Sequence, residues 1–223
     1  MSDAPELSLV TPARDEAASL PALHARIVAA LAGVAWEWVI ADDASSDDTP
    51  AVALAIGGAD ARVRHLPLSP RGGSHRAMLA GMAVARGGAV LVLAADLQDP
   101  PELAPALLAR WREGADVVWA VRAARREESL RARLLARAYH GLSRARGARR
   151  LPPGGAGCCL LDGRLARALV ARRPPVVDVF VAAARLARTT ASVPYHRDRR
   201  LHGESRWSGT DKLRFALRSL ASR

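Results

Sequence analysis

The chain has 223 residues, half of them apolar, which suffices for one α/β domain with a substantial core and excludes an intrinsically disordered protein. Its net charge is +11, carried almost entirely by arginine, because Lys212 is the only lysine and asparagine is absent. That sign favours phosphorylated ligands or anionic lipid, whereas 4% aromatics with no interleaved basic stretch argues against a nucleic-acid partner. No apolar run reaches the length of a membrane span and no signal-type segment follows Met1, so a cytoplasmic protein is expected. The adjacent Cys158 and Cys159 suit neither a disulfide nor a zinc site and read as small core residues.

Strand and helix patterns alternate along the chain. Residues 7–11 form a short apolar strand, and residues 15–31 carry Leu20, Leu23, Ile27, Ala30 and Leu31 on one helical face. Residues 36–41 (WEWVIA) are a second strand ending at Asp42 and Asp43, followed by a helix over 49–56 and a strand over 63–66. An amphipathic helix over 76–86 precedes the apolar run 90–95, which reads as a fully buried strand. Pro100, Pro101 and Glu102 are helix-start chemistry for a helix over 103–112, and a strand over 117–121 ends at Arg122. The order predicts an α/β fold, a mostly parallel sheet with helices on both faces. Residues 125–150 are strongly basic with helical spacing at first, residues 151–157 are a Pro/Gly-rich loop, and residues 211–220 repeat the amphipathic pattern. Either basic helix suits an anionic membrane surface or simply covers the sheet.

Four clusters carry chemistry: residues 12–16 (PARDE), 42–47 (DDASSD), 96–99 (DLQD), and 197–205 (RDRRLHGES). The first three follow strands directly, so a parallel sheet gathers them on one rim, where α/β folds bind ligands. That rim suits a nucleoside diphosphate. Asp42 and Asp43 accept hydrogen bonds from a base or ribose, Asp96 and Gln98 are hard oxygen ligands for Mg²⁺ or Mn²⁺, and Arg122, Arg126, Arg197 and Arg200 are candidates for bidentate phosphate contacts.

The motifs VTPARDE (10–16), ADDASSDDT (41–49), RGGSHRAMLAGMAVARG (71–87), ADLQDPPEL (95–103), GADVVWAVRAARRE (114–127) and YHRDRRLHGESRW (195–207) resemble those of inverting family 2 glycosyltransferases with the GT-A, Rossmann-like fold. They are closest to the dolichyl-phosphate mannosyltransferase and undecaprenyl-phosphate sugar transferase group. The resemblance covers nearly the whole chain and implies a single GT-A domain over 1–223, with a nucleotide-sugar half (1–122) and an acceptor-side, C-terminal helical part (123–223). It implies that Pro12, Arg14, Glu16, Asp42, Asp43, Arg76 and Asp96 contact the donor. Asp96 and Gln98 would bind the metal, Arg122, Arg126, Arg197 and Arg200 the phosphates, and Asp96, Asp99, Arg122 and Arg200 would carry catalysis.

The chain departs from the family pattern at several positions. Ala94 stands where an Asp is usual, leaving the metal one carboxylate short. Asp15 replaces an Asn, Ala44 a Gly, and Cys158-Cys159-Leu160 a Phe-Arg-Leu stretch. The expected activity is metal-assisted transfer of a sugar from a nucleotide sugar to a polyprenyl phosphate, by an enzyme that is cytoplasmic or peripheral at the inner face of the membrane. An alternative is a soluble transferase with a small-molecule acceptor. A hydroxyl or amine acceptor then needs a base, for which Asp99, Asp178 and Glu204 are candidates. The third reading is a non-catalytic nucleotide-binding protein. Oligomeric state is left open.

Overall fold

The computed structural model describes residues 4–123, 130–153, 155–172, 178–197, 215, 216, 218 and 219; the side chains of 130–137 lie outside that description. Within it the chain forms strands β1 (Leu7–Ala13), β2 (Trp36–Asp42), β3 (Val63–Pro67), β4 (Ala89–Val92), β5 (Val117–Arg122), β6 (Cys158–Asp162) and β7 (Thr190–Tyr195). The helices are α1 (Leu20–Ala30), α2 (Thr49–Ala59), α3 (Ser74–Val84), α4 (Ala104–Arg112), α5 (Leu130–Ala145), α6 (Gly163–Val170) and α7 (Val179–Leu186). The strands form one sheet in the order β3-β2-β1-β4-β6-β5-β7. Its pairings are parallel except where β6 runs antiparallel between β4 and β5. The α/β, mostly parallel architecture matches the sequence expectation.

Alternation along the strands sorts the core onto the two faces of the sheet. Leu7, Leu9, Trp38, Ile40, Leu91 and Val118 pack against Leu20, Leu23 and Ile27 of α1 and Leu107 and Leu108 of α4. Val10, Val39, Val90, Val92, Trp119 and Cys159 pack against Met82 of α3, Leu165 and Leu169 of α6, and Val179 and Val181 of α7. Each such buried aliphatic side chain contributes about 1.5–3 kcal/mol, so helices on both faces are required to cover a two-sided sheet. Cys158 and Cys159 are free and buried in this core, as read from the sequence.

Several boundaries shift, each with a local cause. The first helix begins at Leu20 rather than Asp15, because Asp15 has a left-handed backbone (φ +50°) and residues 15–19 form a turn in which Ser19 Oγ donates to Glu16 Oε2 at 3.0 Å. Strand β4 ends at Val92, before Ala94 and Ala95, although the Leu93 N–H still donates to the Val10 carbonyl at 3.0 Å. The helix predicted over 76–86 spans Ser74–Val84, and α4 is preceded by a 3₁₀ turn, Pro101–Leu103. Glu102 in that turn receives both arms of the Arg26 guanidinium from α1 at 2.8 Å. The sequence pattern did not identify β6, α6, α7 or β7. Of the C-terminal helix expected over 211–220, Phe215, Ala216, Arg218 and Ser219 are described and helical.

Candidate active site

Strand β1 lies between β2 and β4, all three parallel, with Ala13 level with Asp42 and Val10 level with Val92. The loops after these strands therefore share one edge of the sheet, which brings the first three clusters together as expected. The non-glycine residues with left-handed backbone among the described residues are Asp15 (φ +50°), Ala44 (φ +57°) and Leu97 (φ +59°), one just past each of the three strands. Such conformations cost about 1 kcal/mol or more for an L residue, and they gather on the edge that the clusters occupy.

Within this rim the first two clusters are bound to each other. The buried Asp42 accepts from the Ser45 N–H at 2.9 Å and the Ser45 hydroxyl at 2.5 Å, while its other oxygen lies 3.3 Å from His65 Nε2 on β3. Asp43 accepts from the backbone N–H groups of Gly72 (2.6 Å) and Gly73 (2.8 Å), clasping the loop that leads into α3. Gly73 has φ +86°, a geometry that suits glycine and lets its N–H turn toward that carboxylate. The Arg14 guanidinium donates to the carbonyls of Asp43 and Ala44 at 2.8 and 2.7 Å. The Glu16 N–H donates to the Thr49 hydroxyl at 2.7 Å, Pro12 pairs with Ala41 within the sheet, and the exposed Arg76 donates to the Pro70 carbonyl at 3.0 Å. Several residues predicted to contact a donor thus also build the loops of the rim.

After β4, the buried Asp96 accepts the Gln98 N–H at 3.2 Å, an Asx turn that sets the half-buried Gln98 beside it. Among the described residues no group of three or more His, Cys, Asp or Glu side chains is arranged to hold a metal. One carboxylate and one amide oxygen nevertheless fit a small hard cation that takes its remaining ligands from water and substrate phosphates, the usual situation for Mg²⁺.

Asp99, only 1% exposed, accepts a hydrogen bond from the Tyr195 hydroxyl, and its Oδ1 lies 3.3 Å from Arg197 Nε. Tyr195 is level with Arg122 in the β5–β7 pairing, and Arg122 lies against its hydroxyl. Burial, and then the Asp99 charge, hold the Tyr195 phenol well above its ordinary pKa, so it remains a donor. Burial likewise raises the Cys158 thiol, with the Asp99 and Cys159 charges adding to the shift and Arg197 and Arg122 opposing it. The sequence pattern missed Tyr195; its only signal was its place at the start of the last motif. Arg126, Arg200 and Glu204 lie outside the described residues.

Asp178 sits elsewhere. It caps α7, accepting from the N–H groups of Phe180 (2.9 Å) and Val181 (3.1 Å), while its other oxygen accepts the Tyr139 hydroxyl at 2.6 Å. Tyr139 also lies 2.7 Å from the Ser219 hydroxyl, which docks the C-terminal segment onto α5 and α7.

The family model for glycosyl transferase family 2 matches residues 8–167, from β1 into α6. The chain belongs to glycosyl transferase family 2. This glycosyltransferase is 35% identical over 207 residues to the undecaprenyl-phosphate 4-deoxy-4-formamido-L-arabinose transferase of Pseudomonas aeruginosa, covering 91% of this chain and 60% of that protein. It is 29% identical over 221 residues to an uncharacterized glycosyltransferase of Synechocystis, covering 97% of this chain and 69% of the relative. The chain therefore spans about two thirds of the length of these curated relatives. The glucosyl-3-phosphoglycerate synthase of Mycobacterium tuberculosis, solved with Mn²⁺, UDP and phosphoglyceric acid, superposes with a TM-score of 0.68 at 21% identity, over 97% of this chain and 76% of that one. TarS of S. aureus, solved with UDP-GlcNAc, gives a TM-score of 0.64 at 16% identity, over 97% of this chain and 65% of that one. The fold of this glycosyltransferase is GT-A.

Proposed function

We propose that this glycosyltransferase moves a sugar from a nucleoside-diphosphate sugar to a polyprenyl phosphate with inversion, assisted by Mg²⁺ or Mn²⁺. The observation that carries the acceptor assignment is the state of the carboxylates. Asp99 is buried and faces Tyr195 and Arg197, and Asp178 is occupied as a helix cap under Tyr139. Of the candidate bases, these are the two among the described residues, and both are already engaged as acceptors, a poor arrangement for taking a proton from a hydroxyl. A phosphate acceptor is already ionised at neutral pH and needs no base. The printed activity of the Pseudomonas aeruginosa relative, an undecaprenyl-phosphate transferase, supports the same class of acceptor.

In this reading residues 1–122 form the donor half and residues 123–223 the acceptor side of one domain. Asp42, Asp43 and the loops they organise, with Pro12, Arg14, Glu16 and Arg76, shape the nucleoside end of the rim. Asp96 and Gln98 hold the cation, which when bound neutralises charge gathering on the diphosphate. Arg122, Arg197 and, by their motif positions, Arg126 and Arg200 hold the donor and acceptor phosphates. An acceptor phosphate oxygen bonds to the anomeric carbon as the bond from that carbon to the diphosphate breaks, and the nucleoside diphosphate leaves. Catalysis is then positioning and charge neutralisation, with no proton removed.

Peripheral contact with the cytoplasmic face of a membrane is part of the proposal. Arg144, Arg149 and Arg150 are exposed around and beyond the end of α5, beside Leu142 at 43% exposure. No helix among the described residues is long and apolar enough to cross a membrane. The decisive test offers UDP-, GDP- and dTDP-sugars with undecaprenyl phosphate and Mn²⁺ or Mg²⁺. A glycosyl phospholipid of inverted anomeric configuration is expected. Transfer to a hydroxyl acceptor with none to the lipid phosphate would overturn the acceptor assignment.

A further inference from the structure

The cluster around Asp99 joins three separated stretches of chain. Asp99 comes from the loop after β4, Tyr195 from the last position of β7, and Arg122 from the last position of β5. Gly157, just before β6, closes the cluster: its N–H donates to the Ala120 carbonyl at 3.0 Å, and a side chain there would land on the Tyr195 hydroxyl and within 2.7 Å of Asp99 Oδ1. Arg197 Nε lies 3.3 Å from Asp99 Oδ1, an ion-pair contact without hydrogen-bond alignment. A carboxylate that is 1% exposed is costly unless paired, and the phenol and the guanidinium are its partners here.

We propose that Tyr195 is a positioning residue: its hydroxyl holds the Asp99 carboxylate so that Asp99 aims Arg197, and with it the neighbouring Arg122, at the phosphates. This rests on the transferase reading for its consequence in turnover, but its geometry concerns phosphate binding alone. Asp99 acts through the arginines, as an anchor. The buried hydroxyl does not reach substrate. Its loss leaves the carboxylate free to rotate and the guanidinium without a fixed direction. Misplacement of this kind costs on the order of tenfold or more in binding or rate.

The test compares Tyr195→Phe with Tyr139→Phe. Each removes one phenol hydroxyl that donates to a buried Asp, but Tyr139 is only half-buried and belongs to the network on α5, α7 and the C-terminal segment. Calorimetric titration with inorganic pyrophosphate reads the arginines without any turnover. Tyr195→Phe is expected to weaken pyrophosphate binding about fivefold or more, to raise the donor KM in step with it, and to lower kcat/KM for the lipid phosphate about tenfold or more. Tyr139→Phe is expected to lower thermal stability and to change neither quantity. If the two variants bind pyrophosphate alike, or if the unmodified protein does not bind it, the inference falls. If pyrophosphate binding drops in Tyr195→Phe alone while no sugar is transferred by wild type, the transferase reading fails and the positioning role stands.

Discussion

Asp96 and His75 show how the role of a single side chain depends on what surrounds it. Asp96 stands at the strand edge with Gln98 turned beside it, and Ala94 supplies no second carboxylate, so a cation held there would have few other protein ligands. Asp96→Ala is expected to reduce turnover more than tenfold, which is about 1.4 kcal/mol of barrier or more, with the circular dichroism spectrum unchanged. Retention of over about a tenth of the rate would remove Asp96 from this role. His75 lies in the first turn of α3, stacked 4.6 Å from the Phe215 ring, and its Nδ1 accepts the Val179 N–H at 3.1 Å, a bond available only to neutral imidazole. Burial depresses its pKa, and the Asp178 charge opposes that only partly. The unfolded chain therefore binds the extra proton first. The stability contributed by neutral His75 is complete above the unfolded pKa of about 6.5 and declines as pH falls below it, by at most about 1.4 kcal/mol per unit. Urea midpoints at pH 7.5 and 5.5 are expected to differ less in His75→Gln than in wild type.

At the scale of elements, the loops after β1, β2 and β3 are tied by side chains reaching between them. Arg14 holds the carbonyls at the end of β2, Asp15 accepts the Ser46 N–H at 2.5 Å, and Asp43 clasps the entrance to α3. Ala44 sits in the middle of this with φ +57°, where the family resemblance places a Gly. Ala44→Gly removes a left-handed penalty of about 1–2 kcal/mol and adds about 0.4–1 kcal/mol of unfolded-state entropy cost, so a net gain of about 0.5–1 kcal/mol is expected in urea denaturation. An unchanged or lower midpoint would mean that the turn carries no such strain. Leu97 shares the conformation, but its side chain is buried in the core, so glycine there would lose more packing than it relieves.

For the whole molecule, the parallel half of the sheet brings in the loop with Asp96 and Gln98 and β5–β7 brings in Arg122 and Arg197, with β6 inserted between them. The formal charge of +11 gives the assembled protein a long-range attraction for anionic surfaces. Co-sedimentation with phosphatidylglycerol vesicles is expected at low ionic strength and is expected to be lost at about 0.5 M salt, where the screening length is only a few ångströms. Binding that persists at high salt, or that occurs equally on phosphatidylcholine, would assign the contact to apolar insertion instead.

The strands β1 to β5, the acidic loops at their ends and the GT-A resemblance were legible in the amino-acid sequence. Apolar alternation and the residues that break it are local properties, and a parallel order of strands then sends Asp42, Asp43 and Asp96 to one edge. What the tertiary structure decided is long-range. Strand β6 carries no charge before Asp162, and only its pairing with β4 and β5 shows it to be an antiparallel insertion. Asp99 looked like a candidate base because its partner lies 96 residues away on β7. Asp178 looked like another until Tyr139 and the first turn of α7 were seen to occupy it. Whether a carboxylate takes a proton, holds a cation or caps a helix depends on what approaches it in the folded chain, and no local spacing records that.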